Sequence, residues 1–259
     1  MVVRLVKLLA VLIAAIVGVS GFTVTPTSTN LPSLALVKKT IAVYYGDPGT
    51  GKASSSSPYA AEVRSLLDEL PTYSAGAAIV VDVDDTMLLT YNMEVGAYDY
   101  DFDRSIKDRW IAKAKFPAVP GMVDYLNRAT SAGFRIFAVT GRDKKYAAKT
   151  KLNLTKLGYP SMTVYGKNCD CTTVEFKAGT RKAIEKRGYD IALNIGDQFS
   201  DLQGGYADET LKLPNPMYFV GTVTKKTRTT FELEPDGSSG LTAGGEGIPN
   251  FDLVARYRD

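Results

Sequence analysis

The chain of 259 residues contains no histidine, only two cysteines and a single tryptophan. The missing imidazole is the informative absence. It excludes Ser-His-Asp and Cys-His nucleophilic catalysis, phosphoryl transfer through a histidine, and every metal site that needs an imidazole ligand. Two thiols without a histidine cannot close a zinc shell either. Excess charge of one sign is lacking too. The 31 basic and 28 acidic residues leave a net +3, too balanced for a dedicated nucleic-acid binder, so no nucleic-acid partner is expected. Chemistry here must rest on carboxylates, lysine, hydroxyls and a hard metal ion. A hydrophobic content of 45% and a charged content of 23% are ordinary for a globular protein. The length suits one large domain, or one domain carrying an insertion.

Residues 1–20 read as a signal peptide. Arg4 and Lys7 form a basic start, Leu8 to Val17 an apolar run, and Gly18 and Ser20 a small-residue cleavage pattern. The run is short against the ~20 residues that span a bilayer. Cleavage and secretion are therefore expected rather than a stable membrane anchor, with retention at the cell surface or in a periplasm as variants. Cleavage leaves 29 basic against 28 acidic residues. Cys169 and Cys171 flank one residue; export permits a disulfide, but so short a ring is tight. A clip and two free thiols both remain open.

Residues 21–57 read as a linker or N-terminal extension, Thr/Ser/Pro-rich early and broken again at 46–58. From Pro58 the pattern changes. Helical periodicity over 59–70 is followed by short apolar runs, each a candidate buried strand: Ala77–Val81, Phe134–Val139, Met162–Tyr165, Ile191–Ile195 and Met217–Val220. Amphipathic segments at 121–132, 144–157 and 177–187 lie between them. Such alternation predicts an α/β fold, a doubly wound, Rossmann-like parallel sheet whose ligands bind at the carboxyl ends of the strands. About 52 residues separate the first two strands, and their excess, 87–118, is rich in aromatics (Tyr91, Tyr98, Tyr100, Phe102, Trp110, Phe116). It reads as a small helical cap over the strand ends. The tail 222–259 is an extension, with a candidate strand from Thr222 and five glycines in 237–247.

The first strand ends in Asp82-Val-Asp-Asp-Thr86. Three carboxylates at the rim of a buried sheet are costly unless a cation compensates them. Taken alone, the segment could be a solvated acidic loop. The later strand ends change that. The second stops at Ala138-Val-Thr-Gly-Arg142, where Thr140 and the Gly141 turn offer donors to an oxyanion. Lys177 opens the helix before the fourth strand, which ends in Asn194-Ile-Gly-Asp-Gln-Phe-Ser-Asp201. Oxygen ligands with one hydroxyl and one ammonium suit Mg²⁺ and a phosphoryl group.

In these residues the chain resembles the haloacid dehalogenase (HAD) superfamily of phosphohydrolases. Its four motifs correspond to Asp82–Thr86, Val139-Thr140, Lys177, and Gly196-Asp197 through Asp201. The stretches at 138–142, 194–202 and Lys212-Leu-Pro-Asn-Pro-Met-Tyr218 are more closely similar to exported acid phosphatases of class B, subfamily IIIB, over residues 58–221. The resemblance implies a secreted Mg²⁺-dependent acid phosphatase acting on small phosphate monoesters. It implies Asp82 as nucleophile, forming an aspartyl-phosphate, and Asp84 as proton donor and then base. Thr140 and Lys177 would bind phosphoryl oxygens, with Gly141 and Arg142 beside them; Arg142 is equally readable as a helix-start cation. Mg²⁺ would sit on Asp82, the Asp84 backbone carbonyl, Asp197 and Asp201. A phosphotransferase shares this chemistry, and a storage or binding relative on the same scaffold would have lost the nucleophile or the metal carboxylates.

One motif pulls elsewhere. Gly46-Asp-Pro-Gly-Thr-Gly-Lys-Ala53, after the strand-like Ile41–Tyr45, nearly spells a nucleotide-phosphate loop. Ala53 stands where a hydroxyl should hold Mg²⁺, and a serine run with Pro58 follows instead of a continuous helix. The nucleotide reading is set aside on those grounds.

Overall fold

The computed structural model describes residues 33–71 and 76–220, and the backbone of a short strand at 256–258. The signal segment, the candidate strand from Thr222 and the glycine-rich tail lie outside these residues. Among the described residues no helix is long and apolar enough to cross a membrane.

Among the described residues the sheet has five parallel strands: β1 (Ala78–Val81), β2 (Arg135–Asp143), β3 (Thr163–Lys167), β4 (Ile191–Gly196) and β5 (Glu209–Lys212). Their order is β3-β2-β1-β4-β5, and β6 (Arg256–Arg258) pairs antiparallel at the β5 edge. The chain builds outward from β1 to β3, then returns to place β4 on the other side of β1. This is the doubly wound α/β fold, and its strand order reverses between β1 and β4.

Both faces of β1 are covered, which is why Ala78–Val81 is apolar throughout rather than alternating. Ile79 and Val81 belong to the larger core, with Leu193 and Ile195 of β4 and with α5 (Met122–Ser131) and α6 (Ala147–Lys156). Ala78 and Val80 face a smaller core with Phe176 and Ile184 of α7 (Thr173–Glu185). Local signals set the helix starts. Ser57 caps α2 (Pro58–Leu66) by accepting the Ala60 amide at 3.1 Å, with Pro58 in the first turn. Thr172 and Glu175 form a reciprocal capping box on α7. That cap starts the helix four residues before Lys177, which therefore lies within its second turn. The insert between β1 and β2 is helical, as expected: α3 (Tyr91–Glu94) and α4 (Arg104–Lys113).

Three expectations need correction. The fifth strand is Glu209–Lys212, not Met217–Val220; Glu209 and Thr210 hide it in polar sequence, and the latter stretch follows Pro214 and Pro216 as irregular chain. The strand-like Ile41–Tyr45 lies instead in α1 (Leu34–Tyr44) and its C-cap, with Ser33 accepting the Leu36 amide at 3.2 Å. The stretch read as linker thus includes a helix whose Ile41, with the adjoining Tyr45, is buried in the larger core. Tertiary packing overrides the β-branched preference here: the Tyr45 ring lies 4.4 Å from those of both Tyr59 and Tyr91. Of the two alternatives left open for the thiols, Cys169 and Cys171 are paired as a disulfide.

Candidate active site

Sheet register alone brings two motifs together. Val81 lies opposite Ile195, and the Asp82 amide donates to the Ile195 carbonyl at 2.9 Å. Asp82 directly follows Val81, and Asp197 directly follows Gly196 at the end of β4, so both carboxylates emerge from adjacent strand tips. Asp201 joins them from α8 (Phe199–Leu202), a single turn begun immediately after β4. The turn packs so closely that a Cβ on Gly196 would lie 2.4 Å from Asp201 Cβ; only glycine fits.

Oxygens of Asp82, Asp197 and Asp201 lie within 4.8 Å of one another, and all three residues are buried. Lys177 Nζ, itself buried, reaches across to donate to Asp82 Oδ1 and, at 2.6 Å, to Asp201 Oδ1. Thr86 Oγ1 donates to Asp197 Oδ1 at 3.0 Å, while Gln198 Nε2 and Asn215 Nδ2 each donate to Oδ2 at 2.7 Å. The Gln198 amide fixes Asp201 Oδ2 at 2.9 Å.

The charge does not balance. Burial would strip Lys177 of its proton, but Asp201 and Asp82 hold its pKa above the ordinary lysine value. Asp82 is pushed well above the carboxylate range by burial, with Lys177 pulling down and Asp201, Asp197 and Asp84 pushing up. Asp197 is pushed to about 7 by burial and then by Asp201 and Asp85. Three carboxylates facing one ammonium leave negative charge for a cation to neutralise, and an all-oxygen donor set of this spacing fits a hard divalent ion such as Mg²⁺. Lys212, buried at the end of β5 with its Nζ donating to the Leu213 carbonyl at 2.8 Å, is a second cation near the cluster: burial lowers its pKa to about 8 against the pull of Asp197 and Asp201, and two ammoniums still fall short of three carboxylates.

Asp84 faces another way. Its carboxylate stands outside the cluster, gripped by Arg142 (Nη2 to Oδ1 at 2.5 Å, Nε at 3.0 Å) and by Lys107 Nζ, 3.3 Å from Oδ2. Burial would raise its pKa, but these two cations hold it well below the usual range. Arg142 is occupied rather than open: Nη1 donates to Thr150 Oγ1 at 3.1 Å, and its guanidinium lies 5.1 Å from the Phe116 ring centroid. Thr140 is buried in β2, where the register with β3 shifts, its hydroxyl accepting the Arg142 amide at 3.1 Å. Gly141 is exposed, and a Cβ there would meet only Thr173 Cγ2, at 3.9 Å. Asp85 turns inward, held by the Thr90 amide (2.8 Å), the Thr90 hydroxyl (2.5 Å) and Tyr218 (2.6 Å). Burial moves its pKa up to about 6 against those bonds.

Asp82, Lys177, Asp197 and Asp201 are thus directly assembled, and Asp84, Arg142 and Thr140 form an adjoining group. Sequence reasoning did not single out Lys107, Gln198 or Asn215. Asn215 and Gln198 sat inside stretches already noted. Lys107 had no signal, being one of several cations on an ordinary polar helix.

Solved structures share this fold. A class C acid phosphatase from Bacillus anthracis, with tungstate bound, superposes with a TM-score of 0.57 at 20% identity, covering 77% of this chain and 98% of that one. A second structure of that phosphatase gives 0.53 at 23% identity, covering 71% and 86%. The fold and the site define a HAD-type α/β domain. The family model described as HAD superfamily, subfamily IIIB (acid phosphatase) matches residues 20–221, and the chain belongs to that family. The Stem 28 kDa glycoprotein of Glycine max is 35% identical over 150 residues, 54% of this chain and 59% of the relative. Acid phosphatase 1 of Solanum lycopersicum is 28% identical over 187 residues, covering 62% and 69%. Vegetative storage protein 1 of Arabidopsis thaliana is 26% identical over 180 residues, covering 64% and 67%. Matches to the stem glycoproteins span only half to three-fifths of their length.

Proposed function

We propose that this protein is a divalent-metal-dependent phosphatase, Mg²⁺ being the expected ion, that hydrolyses small phosphate monoesters through an aspartyl-phosphate. The observation that carries the reading is the buried group of Asp82, Asp197, Asp201 and Lys177 at two adjacent strand tips, with negative charge in excess. Family membership and the tomato relative's name point the same way.

Asp82 attacks phosphorus, one carboxylate oxygen forming the new P–O bond as the ester P–O bond breaks. Lys177 and the Thr140 hydroxyl take the phosphoryl oxygens, offsetting the charge that builds there. Asp84, held ionised by Arg142 and Lys107, resists lasting protonation and serves as a relay that passes a proton on rather than storing it. In acid, where a phosphate monoester keeps one proton (second pKa about 6), that proton passes through Asp84 to the departing alkoxide. Water then attacks phosphorus, gives a proton to Asp84 and frees Asp82. Held by Asp82, Asp197, Asp201 and the Asp84 carbonyl, Mg²⁺ would supply charge neutralisation at the phosphoryl group. The apolar run at 8–17 supports export of the enzyme.

The test is a panel of phosphate esters after EDTA treatment, with and without added Mg²⁺. Inorganic phosphate released only with the ion supports the reading. Phosphate delivered to added glycerol instead of water identifies a phosphotransferase. No turnover of any ester leaves the storage role that some relatives' names carry.

A further inference from the structure

The loop that nearly spells a phosphate cradle is folded around an anion, but the anion is its own. Asp47 Oδ1 accepts the amides of Gly49 at 2.8 Å and Thr50 at 2.7 Å, and Oδ2 accepts that of Gly51 at 3.0 Å. The Tyr91 hydroxyl, 2.9 Å from Oδ2, and the Thr50 hydroxyl, 3.3 Å from Oδ1, complete the shell. Successive amides aimed into one concavity form an anion nest; here a carboxylate of the same loop fills it. Gly49 and Gly51 make the turn possible, with φ of +99° and +68°. The carboxylate is worth keeping charged: although burial opposes it, bonds from Thr50, Tyr91 and Gly49 lower its pKa.

Tyr91 connects this loop to the chemistry. It is fully buried, opens α3 in the insert, and directly follows Thr90. Thr90 gives its amide and its hydroxyl to the two oxygens of Asp85. Asp85 belongs to the nucleophile loop and sits at φ +55°, where a residue with a side chain stays only if its surroundings hold it. One hydrogen bond and one peptide link therefore separate the Asp47 nest from the grip on the nucleophile loop. Other contacts tie the same two stretches. The Ala53 amide donates to Asn92 Oδ1 at 3.4 Å, and Lys38 pairs with Asp99 at 2.8 Å.

Resting on the phosphatase reading above, we propose that Asp47 is a positioning residue for the reaction. Through Tyr91 and Thr90 it latches the N-terminal extension to the insert and so holds Asp85 and the nucleophile loop in register with β4. Asp47 touches neither substrate nor metal in this role.

The decisive variant is Asp47→Ala, which leaves three amides, the Thr50 hydroxyl and the Tyr91 phenol around a space vacated by a carboxylate. Full-length protein is assayed for kcat and KM on an aryl phosphate with Mg²⁺, and for amide hydrogen exchange across residues 85–91. A misplaced nucleophile costs turnover more than binding. The expected result is a kcat about tenfold lower or more, KM within about threefold, and faster exchange across 85–91. Formate should restore most of both readouts, and chloride at equal ionic strength should not. Tyr91→Phe should move both the same way by less, and should add little to Asp47→Ala, because both break one link. Unchanged kcat and exchange in Asp47→Ala, additive single effects, or rescue by chloride as good as by formate would each overturn the latch. If Asp47→Ala fails to fold, Tyr91→Phe decides on the same readouts. A wild-type protein inert to every ester refutes the phosphatase reading instead, and exchange across 85–91 still decides the latch.

Discussion

Two loops of this chain gather carboxylates and donors, and they end in opposite states. In the loop at 46–53, one carboxylate meets three amides, the Thr50 hydroxyl and the Tyr91 phenol, and both its oxygens are taken by the protein itself. At the tips of β1 and β4, three buried carboxylates meet one ammonium and a handful of neutral donors, and the pKa values of Asp82 and Asp197 climb. The first loop nearly matches a phosphate-binding motif, but its amides are already taken by Asp47. The second matches by scattered short motifs and is left with charge to neutralise. Unsatisfied charge, more than motif likeness, distinguishes a site from a structural turn, since a buried group without a partner costs free energy that a ligand can recover.

That contrast can be broken in steps. Asp82→Asn keeps an acceptor for Lys177 but removes the attacking carboxylate. Hydrolysis of an aryl phosphate should fall by roughly a thousandfold or more, with the unfolding temperature close to wild type. Appreciable residual turnover would move the nucleophile elsewhere. Lys177→Met tests the charge imbalance directly. Removing one partner from a buried ion pair costs about 3–5 kcal/mol, so urea unfolding without divalent ions should show a loss of that order, partly recovered by Mg²⁺. A variant as stable as wild type in EDTA would mean that the acidic cluster carries no excess charge.

The smallest effect concerns Glu94, on the insert. Burial first, then the charge of Asp85, pushes its pKa up to about 8, with Lys107 pulling against them and Asp84 adding to the rise. The folded state then holds a proton that the unfolded chain releases above its ordinary value of 4.5. The contribution of Glu94 to stability should therefore be full below that pH and decline as pH rises toward 8. Glu94→Gln should flatten this decline, a gain on the order of 1–3 kcal/mol at pH 8. Parallel pH profiles of unfolding for the two proteins would show that Glu94 ionises freely.

Much of the fold was legible because its cues are local. Apolar β1, bounded by polar chain and followed by three aspartates, is readable from ten residues, as is Ser57-Pro58 at a helix start. The cues failed where packing outvoted propensity. Ile41–Tyr45 looks like a strand, yet stacking on Tyr59 and Tyr91 makes it a helix end. Glu209–Lys212 looks like a loop, yet the open edge of β4 makes it a strand. In the site, Asp82, Asp197 and Asp201 could be named from strand ends, and Lys177 from the helix before the fourth strand. Lys107 could not, since nothing in α4 marks which lysine meets Asp84.

The sequence by itself determined the alternation of strands and helices from β1 to β4, the absence of imidazole chemistry and the set of acidic residues at strand ends, because each is a property of neighbours along the chain. Only the tertiary structure decided which acids share one buried pocket, which one is turned to Arg142 and Lys107, and which anion fills the 46–53 loop. Those outcomes depend on through-space distance and on burial. Residues far apart in number, such as Asp82 and Lys177 or Asp47 and Tyr91, acquire both only when the sheet and its insert close around them.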